Sequence, residues 1–412
     1  MAIAGANVST ERRNFFMSSA QLEALERKEE LERNPLRQKL GSPLQAGARI
    51  LNFDLGSKDK AVLALSSHQA KIADLETSQL TKGAAKHTGP VTAVALLNRD
   101  YNGSQIALSA SWDKSIKMWP VDNPQHTLAV FSGHADFVKC LAVHPTLPLV
   151  YSGSADKSIM YWKLPDSAEI SAIRDTPLTI HPVKTVKGQH TGQIYALCLD
   201  TVSADVLYST GSDASIRAWN AQTGAAIRID DMEEWCIPRG EHKTNIFDCK
   251  ATENTLWTAS ADKTAIGWDV ESRVVDLILE HDASVNAVLP IPQAGIVATG
   301  VHGGVICIWK VNSGSPRIIR EIHAHTDDVT CLQAAGRVFY SSGLDGTLRK
   351  WDIKDIIEFA GGMEYIPAEL EALKSQQFLN KPKEKAAKAS NSALTEEEER
   401  ELAELMSDLD DM

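Results

Sequence analysis

The feature that most constrains this chain is a set of four spaced residues that returns five times. A Trp follows an Asp by six residues in Asp113/Trp119, Asp156/Trp162, Asp213/Trp219, Asp262/Trp268 and Asp345/Trp351. Four residues before each Asp stands a hydroxyl: Ser109, Ser152, Ser209, Thr258 and Ser341. A His opens each unit: His87, His134, His190, His242 and His325. Between these markers run short apolar stretches of period two, such as Val329–Leu332 and Val338–Tyr340, joined by Gly and Asp turns. Units of this kind recurring roughly every 40–45 residues predict a β-propeller, each unit supplying one antiparallel blade.

Each of the four residue types does something the others cannot. An indole N–H only donates, a hydroxyl accepts one bond and passes another on, and a carboxylate fixes the tautomer of the imidazole beside it. A His, a hydroxyl and an Asp can also form a nucleophilic triad, but five copies at one spacing predict structure instead. The set resembles the WD40-repeat family, and the resemblance covers about residues 46–355. It implies that Trp, Ser/Thr, His and Asp make one hydrogen-bonded chain per blade. The fold it implies is all-β: a seven-bladed WD40 β-propeller with short helical N- and C-terminal extensions.

Two units depart from the pattern. His281, Thr299 and Trp309 are in place, but Gly303 stands where the Asp is expected, so this sixth blade cannot close its tetrad. Residues 46–86 supply the remaining unit, with strands over Ala48–Asp54, Ala61–Ser67 and Ala70–Leu75 and a fourth near Leu80. This first blade has no tetrad, and Ala73 takes the Trp place. A closed ring also needs its last blade completed from the other end of the chain. Leu36–Leu40 is assigned to that role, with Ile356–Phe359 as the alternative donor.

The chain divides into an N-terminal arm and charged helix (1–35), the propeller (36–360), a C-terminal helix (361–380), and a flexible linker with an acidic amphipathic tail (381–412). The N-terminal helix, Ser19–Asn34, carries a thin stripe of Leu22, Leu25 and Leu31. In the tail, Thr395 and Glu398 form a capping box, and Leu402, Leu405, Met406 and Leu409 recur on one helical face. Residues 396–411 hold nine acids against one Arg, which is −8 of the chain's formal −12. Such a segment predicts a helix that docks in a partner's groove. Two insertions add surface: Pro165–Pro177, on the face away from the His turns, and Asp230–Glu241, on the His-turn face. In the second, Trp235 stands among acids and either folds back or anchors a partner.

Little else points to chemistry. Gly56-Ser-Lys-Asp-Lys lacks the features of a phosphate loop, no HExxH is present, and His323-Ala-His325 is the ordinary lead into a blade rather than a metal site. No cofactor is expected. A net charge of −12 and the lack of a basic cluster interleaved with aromatics make nucleic acid an unlikely direct partner. Six cysteines occur singly, four of them (Cys140, Cys198, Cys249, Cys331) in first strands, which suits a reducing compartment. With no leader and no membrane-spanning stretch evident, the expectation is a cytoplasmic or nuclear, non-enzymatic protein.

Partner binding is expected on the side of the disc where the His and Asp turns lie. Trp112 precedes one turn Asp and Phe137 follows the next His by three, so adjacent blades bring two aromatics together. Asn245 and His302 hold matching places, and Asp136, Asp282, Asp327 and Asp328 surround them. Aromatic anchors in an acidic rim predict a basic peptide segment. The function expected is a scaffold or adaptor in a multiprotein complex, working through this face and the terminal helices. A second reading is a substrate receptor for a cullin-type ubiquitin ligase. The blade ending in Trp351-Asp352-Ile353-Lys354 resembles the box of such receptors, with Lys354 in place of the usual Arg.

Overall fold

Each of the seven sheets starts with a β-branched residue that is wholly buried: Ile50, Val91, Val138, Ile194, Ile246, Val285 or Val329. Immediately after it the pairing with the second strand slips by one residue, in all seven sheets. Such a bulge leaves one side chain unpaired and bends the strand. The seven residues in this position, Leu51, Thr92, Lys139, Tyr195, Phe247, Asn286 and Thr330, all line one central channel of about 390 Å³.

The computed structural model describes residues 39–359, apart from 57–58, 82, 84–85, 102, 172, 174–175, 228–240, 273 and 313–314. They form a seven-bladed β-propeller. The innermost strands begin at Ile50 (blade 1), Val91 (2), Val138 (3), Ile194 (4), Ile246 (5), Val285 (6) and Val329 (7), and each packs against the next, the seventh against the first. The hydrophobic core is therefore divided among the seams. Trp119 of blade 2 packs with Val62 and Ile72 of blade 1, and Trp219 of blade 4 with Tyr151 and Tyr161 of blade 3. Blade 1 has no indole to offer. Its seam with blade 7 is filled by Phe53, Leu63 and Leu65 with Tyr340 and Leu348.

The first blade follows the strands read from sequence: Ile50–Leu55, Lys60–Leu65, Ala70–Asp74 and Gln79–Leu80. Ring closure differs in detail. The outer strand of blade 7 is Leu44–Gln45, antiparallel to Thr347–Leu348, rather than Leu36–Leu40. Leu40 instead lies buried ahead of it, its carbonyl accepting from Arg349 Nη1 at 2.5 Å. Gly41 explains the offset. It adopts φ +66° and passes so close to Trp351 that a Cβ would stand 2.9 Å from the indole. The alternative donor is excluded because Ile353–Glu358 is a helix, capped by Asp352.

The excursion after blade 3 has an unforeseen role. A short helix, Ser167–Ser171, leads to Leu178–Ile180, which turns back to pair in parallel with Ala129–Phe131 as a fifth strand of blade 2. Only then does Lys184–Val186 complete blade 3. Tyr101, at the end of the long first strand of blade 2, donates to the Pro165 carbonyl at 3.2 Å and ties the two blades again.

Candidate interaction face

In blades 2, 3, 4, 5 and 7 one chain of hydrogen bonds runs from the indole to the turn. In blade 3, Trp162 Nε1 donates to Ser152 Oγ at 2.8 Å, Ser152 Oγ meets His134 Nε2 at 2.7 Å, and His134 Nδ1 meets Asp156 at 2.9 Å. The same order joins Trp119, Ser109, His87 and Asp113; Trp219, Ser209, His190 and Asp213; Trp268, Thr258, His242 and Asp262; and Trp351, Ser341, His325 and Asp345. A carboxylate only accepts, so Nδ1 carries the imidazole proton and Nε2 accepts from the hydroxyl. Each of the five hydroxyl residues is 0% exposed. No substrate can reach them, which removes the triad reading on steric grounds.

A further member escaped the sequence reading. Two residues after each Asp stands another hydroxyl: Ser115, Ser158, Ser215, Thr264 and Thr347. Each donates to the Asp Oδ1 and lies 3.0–3.4 Å from the His Nδ1. The backbone N–H after the His also donates to the carboxylate, as Thr88 does to Asp113 at 3.1 Å. Burial works against these charges, but the bonds from His and hydroxyl outweigh it. Asp113, Asp156, Asp213 and Asp262 are held well below the usual carboxylate range, and Asp345 is brought to about 2. The repeated hydroxyl at this spacing was a legible signal.

Blade 6 lacks both the Asp and this hydroxyl, with Gly303 and Val305 in their places. His281 still meets Thr299 at 2.8 Å, and Trp309 still donates to Thr299 at 3.2 Å. The His Nδ1–H turns instead to the carbonyl of Leu279 at 3.0 Å. Burial without a carboxylate partner lowers the His281 pKa to about 4. The turn differs too. Elsewhere only the residue after the Asp is left-handed, as at Lys114, Lys157 and Lys263, whereas here Gly303 and Gly304 both are. A left-handed third position requires Gly, as in a type II turn. Asp328 of blade 7 supplies the missing carboxylate from outside, accepting from Gly303 N at 2.9 Å and meeting His302 Nδ1 at 2.7 Å.

On the same face Trp112 and Phe137 stack, with centroids 4.9 Å apart and planes 16° from parallel. They remain 39% and 37% exposed. Lys139, the bulge residue of blade 3, extends over both rings, its Nζ 5.3 Å from the Trp112 centroid and 5.9 Å from that of Phe137. Burial lowers its pKa, and Asp136 opposes this from a distance. Tyr195 and Phe247, the bulge residues of blades 4 and 5, meet edge to face at 5.4 Å and continue the aromatic arc around the mouth. Their places became readable only once the bulge was known.

The acids lie unevenly. Asp136 caps its own turn by accepting from Phe137 N, and Asp327 likewise accepts from Asp328 N. Asp282 is exposed, and Asn245 offers its carbonyl to Ala261 N at 2.9 Å. Blades 2, 3 and 5 carry exposed lysines in the turns themselves: Lys114, Lys157 and Lys263. Among the described residues the face thus carries its turn lysines on blades 2, 3 and 5 and its aromatics on blades 2–5, while Asp282, Asp327 and Asp328 gather on blades 6–7 and Asp136 stands apart on blade 3. Deeper in the channel, Asp54 accepts from Leu96 N of blade 2 at 2.7 Å, and Asp248 from Val288 N of blade 6 at 3.1 Å. Burial raises both pKa values. Burial works against a charge on Lys250, but the nearby carboxylates of Asp248 and Asp54 outweigh it and raise its pKa.

Trp235, Leu402, Leu405, Met406 and Leu409 lie outside the described residues, as do the N-terminal and C-terminal helices. Lys354 stands exposed on the helix that follows blade 7, 3.8 Å from Glu358. Among the described residues no helix is long and apolar enough to cross a membrane, and no group of three side chains could hold a metal ion.

Fold, tetrads and channel define a WD-repeat propeller. The WD domain, G-beta repeat family matches residues 79–120, 125–163 and 316–352. An uncharacterized WD repeat-containing protein of Schizosaccharomyces pombe is 30% identical over 355 residues, spanning 82% of this chain and 88% of that one. The chain belongs to the WD40-repeat family. More distant relatives include a ribosome biogenesis protein WDR12 homolog of Oryza sativa, 23% identical over 66% of each chain. Mitochondrial division protein 1 of S. pombe is 25% identical over 57% of this chain and 31% of its own. Propellers of this family generally act as interaction scaffolds, and their fold is typically non-catalytic.

Proposed function

We propose that this chain is a non-catalytic scaffold subunit of a multiprotein complex, and that it holds a partner segment across the mouth of its central channel. The exposed Trp112–Phe137 stack carries this reading. Large aromatic area held rigid by a neighbouring blade loses little entropy on binding, which is what an interface anchor needs. Basic residues of the segment meet Asp282, Asp327 and Asp328 on blades 6–7. The terminal helices, through Leu402, Leu405, Met406 and Leu409 and through the N-terminal stripe, hold further subunits. The five described cysteines are free thiols, which supports a reducing cytoplasmic or nuclear setting. The rice relative's name, which refers to ribosome biogenesis, fits work inside a large assembly.

The test is affinity purification of the full chain with mass spectrometry, comparing wild type with Trp112→Ala/Phe137→Ala and with Leu405→Asp. One partner set should be lost with the aromatic pair and a different one with Leu405→Asp, at unchanged propeller stability. Retention of every partner by the double aromatic variant would place the binding surface elsewhere.

A further inference from the structure

Among the described residues, the cation above the aromatic stack makes no ion pair. Lys139 Nζ is held over two rings at once, is half-buried, and has no carboxylate within ion-pair distance among the described residues. A lysine in this position has already lost much of its side-chain freedom, and its stem covers apolar surface. Its ammonium is partly stripped of water and compensated only by the ring faces and the more distant Asp136, so an incoming carboxylate would gain a charge-assisted hydrogen bond in a poorly screened place. Lys114 and Lys157 stand exposed in the turns of the same two blades and add to the positive potential. A second basic side chain from a partner would be repelled at this spot, whereas blades 6–7 attract one. The face is therefore polarised across the channel mouth.

We propose that the Lys139-capped Trp112–Phe137 stack is a docking site for the acidic end of a partner peptide, laid across the channel mouth with its basic end on blades 6–7. This rests on the scaffold reading above and gives its ligand a direction. The peptide carries a carboxylate for Lys139 and, next to it, an apolar or aromatic side chain for the rings. Tyr195 and Phe247 extend the apolar floor toward blade 5.

The experiment is selection of random 12-residue peptides displayed on phage against the full chain, followed by titration of the enriched peptides as synthetic fluorescein conjugates. Wild type should enrich peptides with Asp or Glu beside a large apolar residue at one end. Lys139→Glu should weaken those peptides at least tenfold and select Lys or Arg in their place, because the sign of the site is reversed. Thermal melting of the variant controls for folding, and Lys139→Met, which keeps the stem over the rings, should also lose acid preference. The proposal is overturned if wild type enriches no acids, or if affinities stay within twofold in Lys139→Glu. It is equally overturned if a single-stranded oligo-dT of matched charge competes as well as the peptide, since the site would then read any polyanion. Asp282→Lys/Asp327→Lys tests the other end. Loss there with Lys139 indifferent would sink the polarity and keep the scaffold reading, and the reverse would separate them in the opposite sense.

Discussion

Blades 4 and 6 share the arrangement of their three inner strands, with the same bulge after the first residue, and in each a buried indole donates to a buried hydroxyl, yet they are held together differently. In blade 4 the chain from Trp219 ends on Asp213, which accepts from His190, from Ser215 and from the backbone of Thr191 and Ser215. In blade 6 it ends on a backbone carbonyl, and the carboxylate that accepts from its turn, Asp328, belongs to blade 7. Blade 4 is self-contained at its top edge. Blade 6 depends on its neighbour and on a histidine that must remain neutral.

The largest effect should come from removing the shared carboxylate. Asp213→Ala leaves several buried donors without an acceptor and should cost about 3–4 kcal/mol in denaturant unfolding. Asp328→Ala, which takes from the turn of blade 6 the acceptor that blade 7 supplies, should cost about 1 kcal/mol. Equal costs would erase the distinction between the two blades.

Acid comes next. His281 has a folded pKa of about 4, against roughly 6.5 in an unfolded chain. The folded state disfavours its proton, so this contribution is complete above about pH 6.5 and is lost as pH falls towards 4, by up to about 3 kcal/mol. The turn carboxylates are depressed, Asp345 to about 2, so their contribution lasts until pH drops below the ordinary carboxylate range. Hydrogen exchange should therefore show Ile296–Val301 losing protection between pH 7 and 4.5 while Val206–Gly211 keeps it.

Smaller changes sharpen the contrast. Trp219→Phe removes the indole donor to Ser209 and should cost about 1–2 kcal/mol; an unchanged unfolding midpoint would show that this bond contributes nothing. Gly303→Asp, which rewrites the missing sequence letter, should not repair blade 6. It places a side chain at φ +85° and should destabilise by about 1–2 kcal/mol. A gain in stability would mean that the turn can convert.

Much of this was legible beforehand, because propeller blades are local units. Apolar runs of period two, the turn residues and the six-residue step from Asp to Trp all lie within one unit of chain. The strands of blade 1 were therefore readable without any tetrad, and so was the defect at Gly303. The adjacency of Trp112 and Phe137 followed from blade order. The second hydroxyl of each tetrad blade, two residues after the Asp, was equally local and was simply passed over.

Contacts that cross units were not readable. The outer strand of blade 7, Leu44–Gln45, was placed too early, at Leu36–Leu40, because the apolar pattern there competes with it, and only the close pass of Gly41 over Trp351 decides between them. The return of Leu178–Ile180 to blade 2, the gift of Asp328 to blade 6 and the reach of Lys139 over its neighbours' rings leave no periodic trace either. By itself the sequence determined the number of blades, their order and the tetrads of five of them. The tertiary structure decided which blades lean on each other and where the charge on the channel face lies. Strand and turn preferences act between residues near in the chain, whereas those outcomes depend on where bulges and turns aim side chains once the ring has closed.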